Sequence, residues 1–172
     1  TAMYRAKAAG KSAFVIFDDG MHQQAKQRFQ LENDFRVAFD RNEFLLHFQP
    51  IMHLESGDVL GGEALVRWQH PTRGLLLPAD FLSIAEETGL IAELDTWVMQ
   101  EAAFHLSQWR KKFPKHYDLF VNVNVDEKQL TSSEILEEVR TVLENFVLPP
   151  STLRLEVTED VFREGRGMAV ER

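Results

Sequence analysis

Glu63, Leu65 and Arg67 stand at alternate positions of Gly61-Gly62-Glu63-Ala64-Leu65-Val66-Arg67-Trp68. Read as a strand, this stretch turns the three side chains to one face. A carboxylate there can hold a hard cation, and a guanidinium can fork onto phosphate oxygens. The pairing suits a metal-bound phosphate ester, although an exposed strand face carrying Glu and Arg gives the same pattern. A second stretch, Val121-Asn122-Val123-Asn124-Val125-Asp126, sets Asn122, Asn124 and Asp126 on one face. Asparagine competes for backbone hydrogen bonds and is depleted from strands. Two of them in a valine-rich strand indicate either a hydrated edge strand or amide oxygens that converge with carboxylates on a cation. A third stretch, Leu153-Arg154-Leu155-Glu156-Val157-Thr158-Glu159, places Glu156 on the face of Arg154 and Thr158, with Glu159 just past the strand end. Glu63, Asn124 and Glu156 could together supply the oxygen ligands that Mg²⁺ or Mn²⁺ prefers.

Other chemistries find little support. The 172 residues contain no cysteine, which excludes disulfides and thiolate metal sites. Six histidines show no metal-ligand spacing such as HExxH; His105 reads as a packed or half-exposed helix residue and His70 as a structural loop residue. Ser83, Ser107 and Ser132 lack a nucleophile-elbow context, and Lys11 lacks the upstream glycine of a phosphate-binding loop. A net charge of −8 argues against a nucleic-acid polymer as partner but allows a small phosphorylated ligand. No apolar run reaches membrane-spanning length, and a cytoplasmic location is expected.

The elements that would position these residues follow from periodicity. Residues 1–9 favour a helix and 13–17 a short strand. Asp18-Asp19-Gly20 reads as a turn and residues 21–41 as a helix with Leu31, Phe35, Ala38 and Phe39 on one side. Strands are expected at 44–54 and 59–68, antiparallel across the turn at 55–58. A loop holds Pro71, Gly74 and Pro78. Helices follow at 80–88 and 90–113, the second with a stripe of Leu94, Val98, Ala102, Leu106, Trp109 and Phe113. A strand at 119–125, a helix at 132–146 and a strand at 153–158 complete a β-β-α-α-β-α-β order, whose later strands should run parallel. In such folds ligands bind at the carboxyl ends of the strands. The chain begins with Thr inside a helical pattern, so it is expected to be part of something longer.

These residues resemble a known family. Gly62-Glu63-Ala64-Leu65-Val66-Arg67-Trp68 resembles the signature of the EAL domain, a cyclic di-GMP phosphodiesterase. Phe48-Gln49-Pro50-Ile51, Pro78-Ala79-Asp80-Phe81, Ile84 to Ile91, Val121 to Asn124 with Gln129-Leu130, and Leu155 to Glu159 are similar to its other ordered motifs. The match covers roughly Phe29 to the C-terminus. Ala2 to Lys11 resembles the end of a GGDEF diguanylate cyclase domain, without the cyclase signature. The organisation implied is a GGDEF tail at 1–17, a linker helix at 18–41 and the N-terminal half of an EAL domain at 42–172. The fold implied is α/β, half of a modified TIM-like β/α barrel with an antiparallel first strand pair.

By that resemblance, Glu63, Asn124 and Glu156 would be ligands of Mg²⁺ or Mn²⁺. Gln49, Leu65 and Arg67 would contact cyclic di-GMP, and Glu159 would steady a nearby loop. The reaction would be hydrolysis to linear pGpG. The family's adjacent aspartates, its catalytic lysine and its later glutamates lie downstream of the fourth strand. Residues 1–172 alone are therefore expected to be inactive, and the activity to belong to a longer parent. Asp126 departs from the family's usual small hydroxyl residue. A non-catalytic cyclic di-GMP receptor is the rival reading, and a protein–protein module a third, but the signature is intact. A homodimer is implied by resemblance only.

Overall fold

The computed structural model describes residues 19–114, 118–125 and 135–157. Helix α1 (Asp19–Ala38) leads into strand β1 (Phe44–Met52), which turns back as β2 (Val59–His70). Phe44 pairs with Trp68 and Gln49 with Glu63 in this antiparallel register. A short strand, β3 (Gly74–Leu76), folds back on the end of β2. Helices α2 (Pro78–Thr88) and α3 (Ile91–Lys112) follow, then β4 (Phe120–Asn124), α4 (Ile135–Phe146), a 3-10 turn (Pro150–Thr152) and β5 (Leu153–Glu156). The sheet runs β1-β2-β4-β5, with β4 parallel to β2 and β5 parallel to β4. This is the expected α/β half-barrel: an antiparallel first pair, then parallel strands joined by helical crossovers.

Alternation along the strands separates two faces. Phe44, Ala64, Trp68, Val121, Val123 and Leu153 are buried beneath the helices. Helix α3 contributes Leu94, Val98, Met99, Ala102, Ala103 and Leu106 to that core, and α4 contributes Ile135 and Val142. From α1, Leu31, Phe35 and Ala38 join it. Phe35 meets Trp68 edge-on, with ring centroids 5.4 Å apart, and Trp68 meets Phe81 at 5.9 Å. The Trp68 indole N–H donates to Glu43 Oε2 at 2.9 Å, satisfying its polar end. Half of the signature is therefore buried structure: Ala64 and Trp68 anchor β2, which turns the intervening residues to the opposite face.

The helix boundaries follow their punctuation. Pro78 occupies the first turn of α2, where a missing N–H costs nothing, and Asp80 Oδ2 accepts the Leu77 N–H at 2.9 Å. Gly89 ends α2 in the left-handed conformation, φ 76°.

Several expectations need correction. Asp19 and Gly20 belong to α1 rather than to a turn. Part of the expected loop between β2 and α2 is strand β3. Phe113 lies just past α3 and is 45% exposed, so it leaves the buried stripe. Strand β4 is flanked by β2 and β5 and is no hydrated edge. The helix and strand expected at 1–9 and 13–17 lie outside the described residues, as do Asp126, Gln129, Leu130 and residues 132–134.

Candidate metal and phosphate site

The second face of the sheet carries the polar residues. Across the strands, Gln49 pairs with Glu63, Glu63 with Asn122, and Asn122 with Arg154, forming one row. Next to it, His47 pairs with Leu65 and Asn124 with Glu156; Leu45 pairs with Arg67 beyond. Paired residues in a sheet point to the same side. The register thus gathers Gln49, Glu63, Leu65, Arg67, Asn124 and Glu156 on one surface.

Two diagonal hydrogen bonds tie the rows together. Asn124 Nδ2 donates to Glu63 Oε1 at 2.8 Å. Asn122 Nδ2 donates to Glu156 Oε2 at 3.2 Å. Strand β4 sits between the two carboxylates and supplies each with an amide donor. Ionised carboxylates only accept, so each amide must turn its NH₂ toward its acid. Its carbonyl oxygen is then directed elsewhere. Among the described residues, the Asn124 oxygen is left available at an exposed position, whereas Asn122 Oδ1 is buried and has no hydrogen-bond partner.

Below this cluster the pairing of β2 with β4 leaves no room for a side chain at Gly61. A Cβ on Gly61 would lie 2.3 Å from the Phe120 carbonyl oxygen. Glycine is required there by space. The Phe120 ring fills the gap, and the Arg154 guanidinium carbon stacks 3.4 Å from the ring centroid. Arg67 donates from Nη1 to the Val66 carbonyl at 2.8 Å, which uses one of its five N–H donors. A cleft of about 510 Å³ opens where β4 leaves β2. Leu65, Asn124 and Glu156 border it from the strands, and Glu86 and Asp95 from the helices.

The donor set fits a hard divalent cation: two carboxylates and an amide oxygen, with no sulfur or imidazole required. Among the described residues no group of three or more His, Cys, Asp or Glu is assembled, so charged ligation rests on the two glutamates. Three oxygens also fall short of six-fold coordination, which leaves positions for water, substrate or further groups. Glu159 lies outside the described residues.

Register gives two other polar positions their neighbours. His47 lies beside Leu65 on the polar face, although spacing in the chain does not single it out. Asn122, which the chain marks only as one of two unusual strand asparagines, bonds directly to Glu156. His70 is the reverse case. It is 3% exposed beneath the Trp68 ring, with Nε2 3.3 Å from Asp34 Oδ2 and Nδ1 accepting the Thr72 N–H at 3.2 Å. It ties α1 to the β2–β3 turn and stands in the structural layer. His105 packs edge-on against Phe48 and lies 3.2 Å from Glu101, a half-exposed helix residue as expected. No helix among the described residues is long and apolar enough to cross a membrane.

Known proteins of one family resemble this chain. The EAL domain family model matches residues 32–169. The chain is 39% identical over 158 residues to the bifunctional diguanylate cyclase/cyclic di-GMP phosphodiesterase MucR of Pseudomonas aeruginosa, covering 92% of this chain and 23% of MucR. It is 35% identical over 170 residues to the cyclic di-GMP phosphodiesterase PdeR of Escherichia coli, covering 99% of this chain and 25% of PdeR. Among solved structures, the PaMucR phosphodiesterase in its c-di-GMP complex superposes with a TM-score of 0.75 at 38% identity, over 80% of this chain and 55% of that one. The chain thus spans about a quarter of the length of these curated relatives. With a family model matched over most of its length and the signature residues set on one face of a half-barrel, this chain belongs to the EAL domain family.

Proposed function

We propose that this chain contributes to a metal-dependent site that hydrolyses cyclic di-GMP to linear pGpG. Glu63, Asn124 and Glu156 would hold Mg²⁺ or Mn²⁺. The observation that carries this reading is the pair of diagonal hydrogen bonds, which sets two carboxylates from separate strands on either side of the β4 amides. The bound cation would polarise a phosphate oxygen and lower the pKa of the attacking water. The protein's own part is positional. Asn124 orients Glu63 and keeps its carbonyl oxygen available. Arg67 has N–H donors left for a phosphate. Leu65 offers an apolar wall, and Gln49, beside Glu63, offers an amide to the dinucleotide. Glu159 would steady an adjoining loop. Residues 1–17 would be the tail of a preceding GGDEF domain in a cytoplasmic signalling protein, the first support being their resemblance to that domain's last helix and strand.

The test is hydrolysis of cyclic di-GMP by the complete protein with Mg²⁺ and with Mn²⁺, compared with Glu63→Ala. Loss of an outer hydrogen-bond partner of a metal ligand typically costs about 10–100-fold in affinity or activity. Loss of a charged ligand is expected to cost at least about 100-fold. Undiminished turnover in Glu63→Ala would remove that residue from the site. Tight dinucleotide binding without turnover in the unaltered protein would favour the receptor reading.

A further inference from the structure

Asn122 is hard to explain as structure. It sits in the middle of β4 between the core-side valines Val121 and Val123, on the opposite face of the sheet and between two paired strands. Its side chain is half-buried, and Oδ1 is buried with no hydrogen-bond partner among the described residues. An apolar side chain of the same size would avoid both the strand penalty of asparagine and the cost of a stranded acceptor. What the residue does accomplish is its bond to Glu156 Oε2. No other hydrogen bond to that carboxylate is made by the described residues. The nearest cation on β5, Arg154, is stacked on Phe120.

We propose that Asn122 is a positioning residue for Glu156. By donating to Oε2 it fixes the rotation of the carboxylate and directs Oε1 toward the Asn124–Glu63 pair. It acts on one flank of β4 as Asn124 acts on the other, so that a single strand aims both acids. The stability lost in holding a stranded amide oxygen is exchanged for orientation of a ligand, a trade common at functional sites. This inference rests on the metal reading above and extends it to a residue outside the ligand set.

The experiment uses the complete protein and Mn²⁺ alone as probe, with free ion counted by electron paramagnetic resonance and unfolding followed by thermal denaturation. Asn122→Leu should unfold at the same temperature or higher, yet bind Mn²⁺ about 10–100-fold more weakly. Its kcat should return to within about threefold of the unaltered value at saturating Mn²⁺, because the defect is in affinity. A purely structural asparagine would show the reverse, a lowered midpoint with unchanged Mn²⁺ affinity, and that result overturns the inference. Should the leucine variant fail to fold, Asn122→Ala answers the same question: weakened Mn²⁺ binding supports it and unaltered binding overturns it. Glu156→Ala separates the two levels. If it binds Mn²⁺ normally, the metal reading itself has failed. If it loses Mn²⁺ while the Asn122 variants keep it, only the positioning role falls.

Discussion

Replacing Gly61 by alanine tests a place in β2 where the pairing with β4 leaves no room for a side chain. The new Cβ would lie 2.3 Å from the Phe120 carbonyl oxygen and 2.9 Å from its ring Cδ2. Carbon–oxygen contacts settle at about 3.3 Å or more, so the strands must part by roughly 1 Å at this point. They are paired there in parallel register, and the obstacle is backbone, which cannot swing aside. Overpacking of this kind costs about 1–3 kcal/mol. A weakened ladder hydrogen bond adds about 1 kcal/mol, giving about 2–4 kcal/mol in total. In a domain of this size each kcal/mol lowers Tm by about 2–4 °C, so the midpoint should fall by about 4–16 °C. Gly62→Ala is the internal control. Its Cβ would meet the Gln49 carbonyl oxygen at 3.3 Å and Phe48 Cβ at 3.7 Å, and its φ lies outside the left-handed region. That substitution should change stability by no more than about 1 kcal/mol. Thermal and urea unfolding of both variants supply the comparison. A Gly61→Ala midpoint within about 2 °C of the parent, or an equal loss in Gly62→Ala, would refute the claim that Phe120 dictates glycine.

Four further outcomes are expected. Trp68→Ala removes a fully buried ring and strands Glu43, and should lose about 3–5 kcal/mol in urea unfolding. His70→Ala should lower stability by about 1–3 kcal/mol through its Asp34 and Thr72 bonds, with Mn²⁺ affinity unmoved in the same titration that probes Asn122. Gly89→Ala forces a side chain into φ 76° and should cost about 1 kcal/mol by the same unfolding assay. Arg67→Ala should raise KM for cyclic di-GMP by about tenfold or more while leaving Mn²⁺ affinity unchanged, since a phosphate contact and not a metal ligand is lost.

Much of this architecture is legible in the chain because its signals are local. Alternation marks β2 and β4, the Glu-Ser-Gly-Asp turn closes the first hairpin, and Pro78 and Gly89 bracket α2. The common face of Glu63, Leu65 and Arg67 needs only the period of a strand. What stayed hidden depends on distance or brevity. Strand β3 has three residues, one of them glycine, too few for any period to show. Gly20 signals a turn by composition, yet a helix absorbs it at its first turn. The bond from Asn122 to Glu156 depends on the register of two parallel strands, and a helical crossover of more than twenty residues sets that register. The same holds for His47, which reaches the site face through the pairing of β1 with β2. The double asparagine of β4 is informative in the chain, but only its central place in the sheet excludes a hydrated edge.

The central claim concerns Glu63, Asn124 and Glu156 acting on one ion. Crystals of the complete protein soaked with Mn²⁺ and measured at the manganese absorption edge test it directly. The account predicts an anomalous peak within about 2.0–2.4 Å of a side-chain oxygen of each of the three. A peak elsewhere, or one that touches only a single member of the set, would contradict it.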